Sequence, residues 1–372
     1  MPSRGQMIAK RLLLSVIATG IALVIAELAV RLHFGHDGNE LDRIRYVYSL
    51  SEIRRHRARL TGLPYLVYGL TAGYPTQNAR GYRGRNIEVP KPPGVFRIVA
   101  VGGSTTYGDH IARWEDAYPA QLEGMLRARD HSVEVVNAGV PGYASWEMLI
   151  AFEFHLLDLQ PDLLVVYEGI NDLYPRLVRP SQYDGMATSK GIWRTDAPVI
   201  PTSALYRLLA IRFDWMHDPS LAESQFDRSF SADYCHFNPS YTRCDNLGMT
   251  PDAVLAANPP KYFERNIRNL VALALSNDVK VMLSSWAYFP NAIPEVANGS
   301  FVTLPFVQRA VADHNRILKN VAAATRVPFY DFAASLRVNR AFWIEGIHLT
   351  PVGAREQAAR YADFLVERRL VP

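Results

Sequence analysis

Five short, mostly apolar runs punctuate the chain: Phe96–Gly103, Val133–Gly139, Asp162–Gly169, Lys280–Ala287 and Val327–Phe332. A strand with one wet face alternates apolar and polar positions, whereas a continuous apolar run of this length reads as a strand covered on both faces. The longer segments between and after them fit helices, near Tyr118–Arg129, Ser145–Leu159, Pro260–Asn277, Leu304–Thr325 and Pro351–Arg369. Pro260 and Pro351 suit a first helical turn, where the missing N–H is not needed. Strand–helix alternation predicts an α/β domain, a parallel five-stranded sheet between two layers of helices.

Two stretches break this rhythm. From Leu173 to about Pro259 the chain runs too long for an ordinary connection, is rich in aromatics, and reads as an insertion placed to cover a site. Ahead of the first strand, residues 35–95 read as a juxtamembrane segment, with a basic helical stretch and then Gly- and Pro-dense loops such as "GYPTQNARGYRG". The domain proper is expected over 96–372, with its insertion at about 173–259.

The apolar run Leu12–Val30 differs in kind. At 1.5 Å per residue it reaches roughly 28 Å, close to the hydrocarbon thickness of a bilayer. Arg4, Lys10 and Arg11 precede it, which favours an inner N-terminus and an exported remainder. A cleaved signal peptide is the alternative, but its apolar region is usually shorter, and no clear A-x-A site follows. Residues 1–34 are therefore expected to be a retained single-pass anchor in a bacterial inner membrane, with the domain in the periplasm. Glu27 lies in the run four residues before Arg31, so a helix would face one toward the other.

Composition adds little to this: 49% hydrophobic and 20% charged is an ordinary globular balance, and the net charge is only +4. With no dense basic tract beyond the first residues, nucleic acid is not expected as a partner. The two cysteines, Cys235 and Cys244, could close a small loop as a disulfide in an oxidising compartment. With His236 adjacent, zinc is the alternative, although two Cys and one His do not complete a tetrahedral site.

Candidate chemistry lies where an open parallel sheet binds ligands, just past the carboxyl ends of its strands. After the first strand comes Gly102-Gly103-Ser104, after the second "NAGVPG" with Gly139, after the third "EGIND" with Asn171 and Asp172. Before the last helix lies "WIEGIHLTPVG" with Glu345 and His348. A hydroxyl, a backbone amide, a carboxamide and a carboxylate–imidazole pair make up the inventory for acyl transfer. Read singly, each block has a blander meaning: a turn for Gly139, a helix cap for Asn171-Asp172.

In this order, "GGST", "NxGxxG", "GxND" and "GIHLTPxG" resemble the SGNH (GDSL-type) hydrolase superfamily, and most closely its membrane-anchored bacterial branch, over about residues 95–369 without the insertion. The resemblance implies a three-layer, flavodoxin-like α/β/α sandwich and ester hydrolysis without a cofactor or metal. It implies Ser104 as nucleophile, His348 as base, and Ser104, Gly139 and Asn171 as oxyanion donors. This sequence departs from the family at two positions. Gly103 stands where the family name has Asp, and Glu345 stands where the family carries Asp three residues before its histidine. Glu can orient an imidazole if one more methylene is accommodated. The expectation is an anchored, exported serine esterase acting on acylated envelope glycans or lipids. An envelope polysaccharide O-acyltransferase and a catalytically degenerate assembly subunit are the alternatives. No protein partner is named by these residues.

Overall fold

All five apolar runs pair in one sheet. In this computed structural model they are β1 (Phe96–Gly102), β2 (Val133–Asn137), β3 (Leu163–Tyr167), β4 (Lys280–Ser284) and β5 (Phe329–Tyr330). The order is β5-β4-β3-β1-β2, every pairing parallel. The described residues are 4–38, 42–49, 52, 60–63, 65–185, 192–193, 201–213, 215–216, 226–227, 234–238, 241–289, 304–336 and 339–372. The main helices are α1 (Arg4–Leu32), α2 (Tyr118–Arg127), α3 (Ser145–Ala151), α4 (Ala204–Arg212), α5 (Lys261–Ser276), α6 (Pro305–Thr325) and α7 (Pro351–Glu367).

Both faces of the sheet are dry, which is why its strands read as unbroken apolar runs. Ile98 and Ala100 of β1 join one core with Tyr118, Leu122 and Leu126 of α2 and Ala358, Tyr361 and Leu365 of α7. Val99 and Val101 point the other way, into a second core with Met148 of α3 and Ile267, Leu270 and Val271 of α5. The apolar face of α5 recurs at Phe263, Ile267, Leu270, Val271 and Ala274, the spacing of one helical stripe. Burying each of the four larger side chains, Phe263, Ile267, Leu270 and Val271, contributes about 1.5–3 kcal/mol.

Register places the future site. Gly102 pairs with Tyr167 across β1 and β3, and Tyr167 with Ser284 across β3 and β4, so the strands end on a common edge. Between β1 and β3 the order of connection reverses, which opens a crevice at the carboxyl ends.

The chain divides into two bodies, Met1–Leu60 with Ile192–Asp227, and Thr61–Gly191 with Arg228–Pro372. Residues from Thr61 onward, inside the segment expected at 35–95, group with the sheet. Arg83, for example, is buried and donates to the Gly108 carbonyl at 3.0 Å. The expected insertion is also split, since its middle, Ile192–Asp227, groups with the N-terminal helix instead of with the sheet. Much of it (186–191, 194–200, 217–225, 228–233) lies outside the described residues, as does most of the basic stretch at 50–59. Ser145–Leu159 starts as α3, widens into a π-turn over Phe152–Leu156 and tightens at Leu157–Leu159. Cys235 and Cys244 are joined as a disulfide and buried. Lys10–Asp37, which overlaps α1, is long and apolar enough to cross a membrane.

Candidate active site

Ser104 opens a single helical turn, Ser104–Tyr107, directly after β1. Gly102 and Gly103 are small for steric reasons. A Cβ on Gly102 would lie 2.3 Å from the Tyr167 carbonyl oxygen, which would push β1 off β3. A Cβ on Gly103 would lie 2.2 Å from Asn171 Nδ2 and 2.9 Å from Glu168 Oε2. The expected departure from the family's Asp thus has a local cause: the third strand's loop occupies the space a side chain at 103 would need. Gly139 answers to the same argument, since its Cβ would meet the Tyr107 backbone nitrogen at 2.3 Å, so the loop after β2 lies flat against the Ser104 turn.

His348 and Glu345 reach the same edge on a tight loop before α7. The Ile344 N–H donates to the His348 carbonyl at 2.9 Å, and Trp343 bridges Leu349, so the residues between form a closed tip. Gly346 at its centre has φ 98°, a conformation that favours glycine. The Ser104 hydroxyl lies 2.8 Å from His348 Nε2, and His348 Nδ1 is hydrogen-bonded to Glu345 Oε1. A carboxylate only accepts, so Nδ1 carries the proton and Nε2 is left to accept from Ser104. The extra methylene of Glu345 is therefore accommodated. His348 is buried, which opposes its charged form. The hydrogen bond and charge of Glu345, helped by Asp109, outweigh that and hold the imidazole above its ordinary range.

The predicted oxyanion donors are close by but otherwise engaged. Gly139 N–H donates to Asn137 Oδ1 at 3.1 Å. Asn171 Nδ2 donates to the Tyr143 carbonyl at 2.8 Å and to Glu168 Oε2 at 3.3 Å. The structure thus brings Ser104, His348 and Glu345 into one chain of contacts, while two of the three oxyanion donors hold protein acceptors. Asp172 binds the Ser145 N–H and hydroxyl at 2.8 and 2.5 Å, at the start of α3.

Sequence reasoning passed over Glu168. It is fully buried, and its Oε1 accepts the backbone N–H groups of Gly169, Ile170 and Asn171. Burial, with the charge of Asp172 adding, pushes its carboxyl up to about 8 against the pull of those three donors. These donors tie the Asn171 loop to the end of β3. The available signal was an acid ending the apolar run "LLVVYE", since a buried carboxyl needs partners. His110, also passed over, packs edge-on against His348 with ring centroids 4.9 Å apart. His110, Glu345 and His348 offer donor atoms within 4.8 Å of one another.

Gly103 supplies a test of this packing. Gly103→Asp, which restores the family's usual residue, should fold and yet lose turnover by about 10²–10³-fold, the range seen when one oxyanion donor is removed. Ester hydrolysis at wild-type rate, with an unchanged Tm, would refute the proposed role of the Asn171 position.

No curated protein matches the chain. Among solved structures, a lipase/acylhydrolase from Enterococcus faecalis is similar at 16% identity and a TM-score of 0.42, covering 74% of this chain and 97% of its own. A catalytic mutant of an acetylxylan esterase from Geobacillus stearothermophilus is similar at 14% identity and 0.42, covering 73% and 93%. Residues 100–225 match the GDSL-like Lipase/Acylhydrolase family, a span that holds Ser104, Gly139 and Asn171 and stops short of Glu345 and His348. The half of the parallel sheet that holds β1, β2 and β3, with the crevice at the end of β1, is thus the part of this chain that is similar to the GDSL-like Lipase/Acylhydrolase family.

Proposed function

We propose that the protein is a membrane-anchored serine esterase acting through Ser104, His348 and Glu345 on acyl esters of envelope glycans or lipids. The observation that carries this reading is the 2.8 Å contact between the Ser104 hydroxyl and His348 Nε2. His348 takes the hydroxyl proton as Oγ attacks the ester carbonyl, and Glu345 steadies the imidazolium that forms. The tetrahedral oxyanion is met by the Ser104 N–H, and by Gly139 N–H and Asn171 Nδ2 once these leave Asn137 and Tyr143. His348 then protonates the leaving alcohol. Water, deprotonated by the same imidazole, releases the acid from Ser104. Only protein groups and water take part.

The anchor reading is supported by Lys10 and Arg11 ahead of the apolar run, which favour an inner N-terminus. The disulfide suits the oxidising side of a bacterial inner membrane.

Supplying the purified chain with an acetyl ester and an excess of acceptor glycan tests the reaction. Mass spectrometry should find free acid and unmodified glycan. Acylated glycan as the main product would overturn hydrolysis in favour of O-acyl transfer, and no turnover of any ester would favour the degenerate subunit.

A further inference from the structure

Helix α4 is built inside out for a helix in water. Its inward positions are Ala204, Arg207 and Ala210, all buried. Its outward positions are Tyr206, Leu209 and, at the end, Arg212, with Phe213 just beyond, and Trp215 follows. Tyr206, Leu209, Phe213 and Trp215 are between 42% and 69% exposed. An ordinary surface helix turns its apolar stripe to the core and its charges outward. Here Arg207 faces in, and its guanidinium donates to the carbonyls of Tyr46 and Tyr48 at 2.6 and 2.9 Å. The aromatic end is ordered. Trp215 N–H returns to the Ala210 carbonyl at 2.7 Å, and its ring stacks on Phe213 with centroids 5.2 Å apart.

The same body supplies a reason for the inversion. Glu27 of α1, expected to face only Arg31, does meet its Nε at 2.7 Å. It also accepts the Ser203 hydroxyl at 2.8 Å and the backbone N–H groups of Ala204 and Leu205 at 2.9 and 2.8 Å. The carboxylate therefore caps the start of α4, where a negative charge is favoured. Arg31 adds a bond to the Thr202 carbonyl at 2.5 Å. Glu27 sits three residues before the end of the apolar run at Val30, about 4.5 Å inside it at 1.5 Å per residue. The cap thus fixes α4 at the depth where a bilayer's hydrocarbon gives way to headgroups.

We propose that α4, with Phe213 and Trp215, lies in the lipid headgroup–acyl boundary of the outer leaflet, moored there by Glu27 of the anchor. This rests on the anchor reading above and goes beyond it. Within the insertion expected at about 173–259, α4 with Phe213 and Trp215 then forms a second, in-plane membrane contact. Aromatic residues with one apolar and one polar end are favoured at that boundary. Two contacts hold the anchor helix in a set rotation, where a lone span is free to turn.

The test is lipid quenching of Trp215 in the full-length chain, reconstituted into phosphatidylcholine–phosphatidylglycerol vesicles. Acyl chains brominated near the headgroup end act as quencher, and the emission difference between wild type and Trp215→Phe isolates the one ring. That difference should be roughly halved by the brominated lipid and indifferent to aqueous iodide. In Glu27→Gln, which removes the charge that holds the cap, the chain should still float with vesicles while the lipid quenching of Trp215 falls. Quenching by iodide and not by lipid would overturn the proposal, as would protection from both, the sign of a second protein copy on this face. Lipid quenching unchanged in Glu27→Gln would overturn the mooring. A wild-type chain that fails to float would overturn the anchor reading and this inference with it.

Discussion

Ser104→Ala is expected to fold as the wild type does and to lose ester hydrolysis by about 10⁴–10⁶-fold, the range for removing a serine nucleophile. The side chain makes one hydrogen bond, to His348 Nε2, and sits on a turn whose backbone is held by Gly103 and Ser104 carbonyls. Alanine keeps that backbone and deletes only the attacking oxygen, so Tm should move little. A fluorophosphonate probe should label the wild type and not the variant. His348→Ala should cost a similar factor, and the double variant little more, because the two groups act as one unit. Turnover near wild type in Ser104→Ala would remove the serine from the chemistry. Two independent additive losses would instead mean that the 2.8 Å contact is not a catalytic one.

Much of the fold was legible because the sheet is dry on both sides. Ile98–Val101 and Leu163–Val166 are buried throughout, so their strands could be read without knowing their neighbours. The expected strands run one to three residues past their ladders, since residues such as Gly139, Gly169 and Ala287 continue the apolar run but leave the sheet. The candidate site was legible where chemistry coincides with a strand end, as at Ser104, or with a short loop, as at Glu345 and His348. It was illegible where a role depends on a partner distant in sequence. Nothing near Glu27 points to Ser203, 176 residues on, so the pairing with Arg31 was foreseen and the cap on α4 was not. Nothing near Asn171 shows that its carboxamide is held by the Tyr143 carbonyl, or that Gly103 is small to leave it room. Periodicity reports burial, and these are hydrogen bonds.

Glu345 decides whether the site runs as a triad, and pH is the measurement that isolates it. Attack on the ester needs His348 neutral at Nε2, so kcat/KM should rise with pH through the imidazole's pKa in the free enzyme. Burial works to lower that pKa, but the hydrogen bond and charge of Glu345 raise it further, so in the wild type the acid limb should lie above the ordinary value of about 6.5. Glu345→Gln keeps the shape and an acceptor oxygen but removes the charge. Burial then dominates, and the acid limb should move to lower pH. At the plateau, turnover should fall by about 10–10⁴-fold, because an amide neither stabilises the imidazolium nor holds its tautomer firmly. Glu345→Asp, the family's own acid, should shift the limb little. It should recover only part of the plateau, because in a loop closed by the Ile344–His348 backbone hydrogen bond its carboxylate stops one methylene short of His348 Nδ1. A limb that stays in place in Glu345→Gln would mean that the carboxylate does not govern His348. Wild-type turnover in that variant would leave Ser104 and His348 as a dyad.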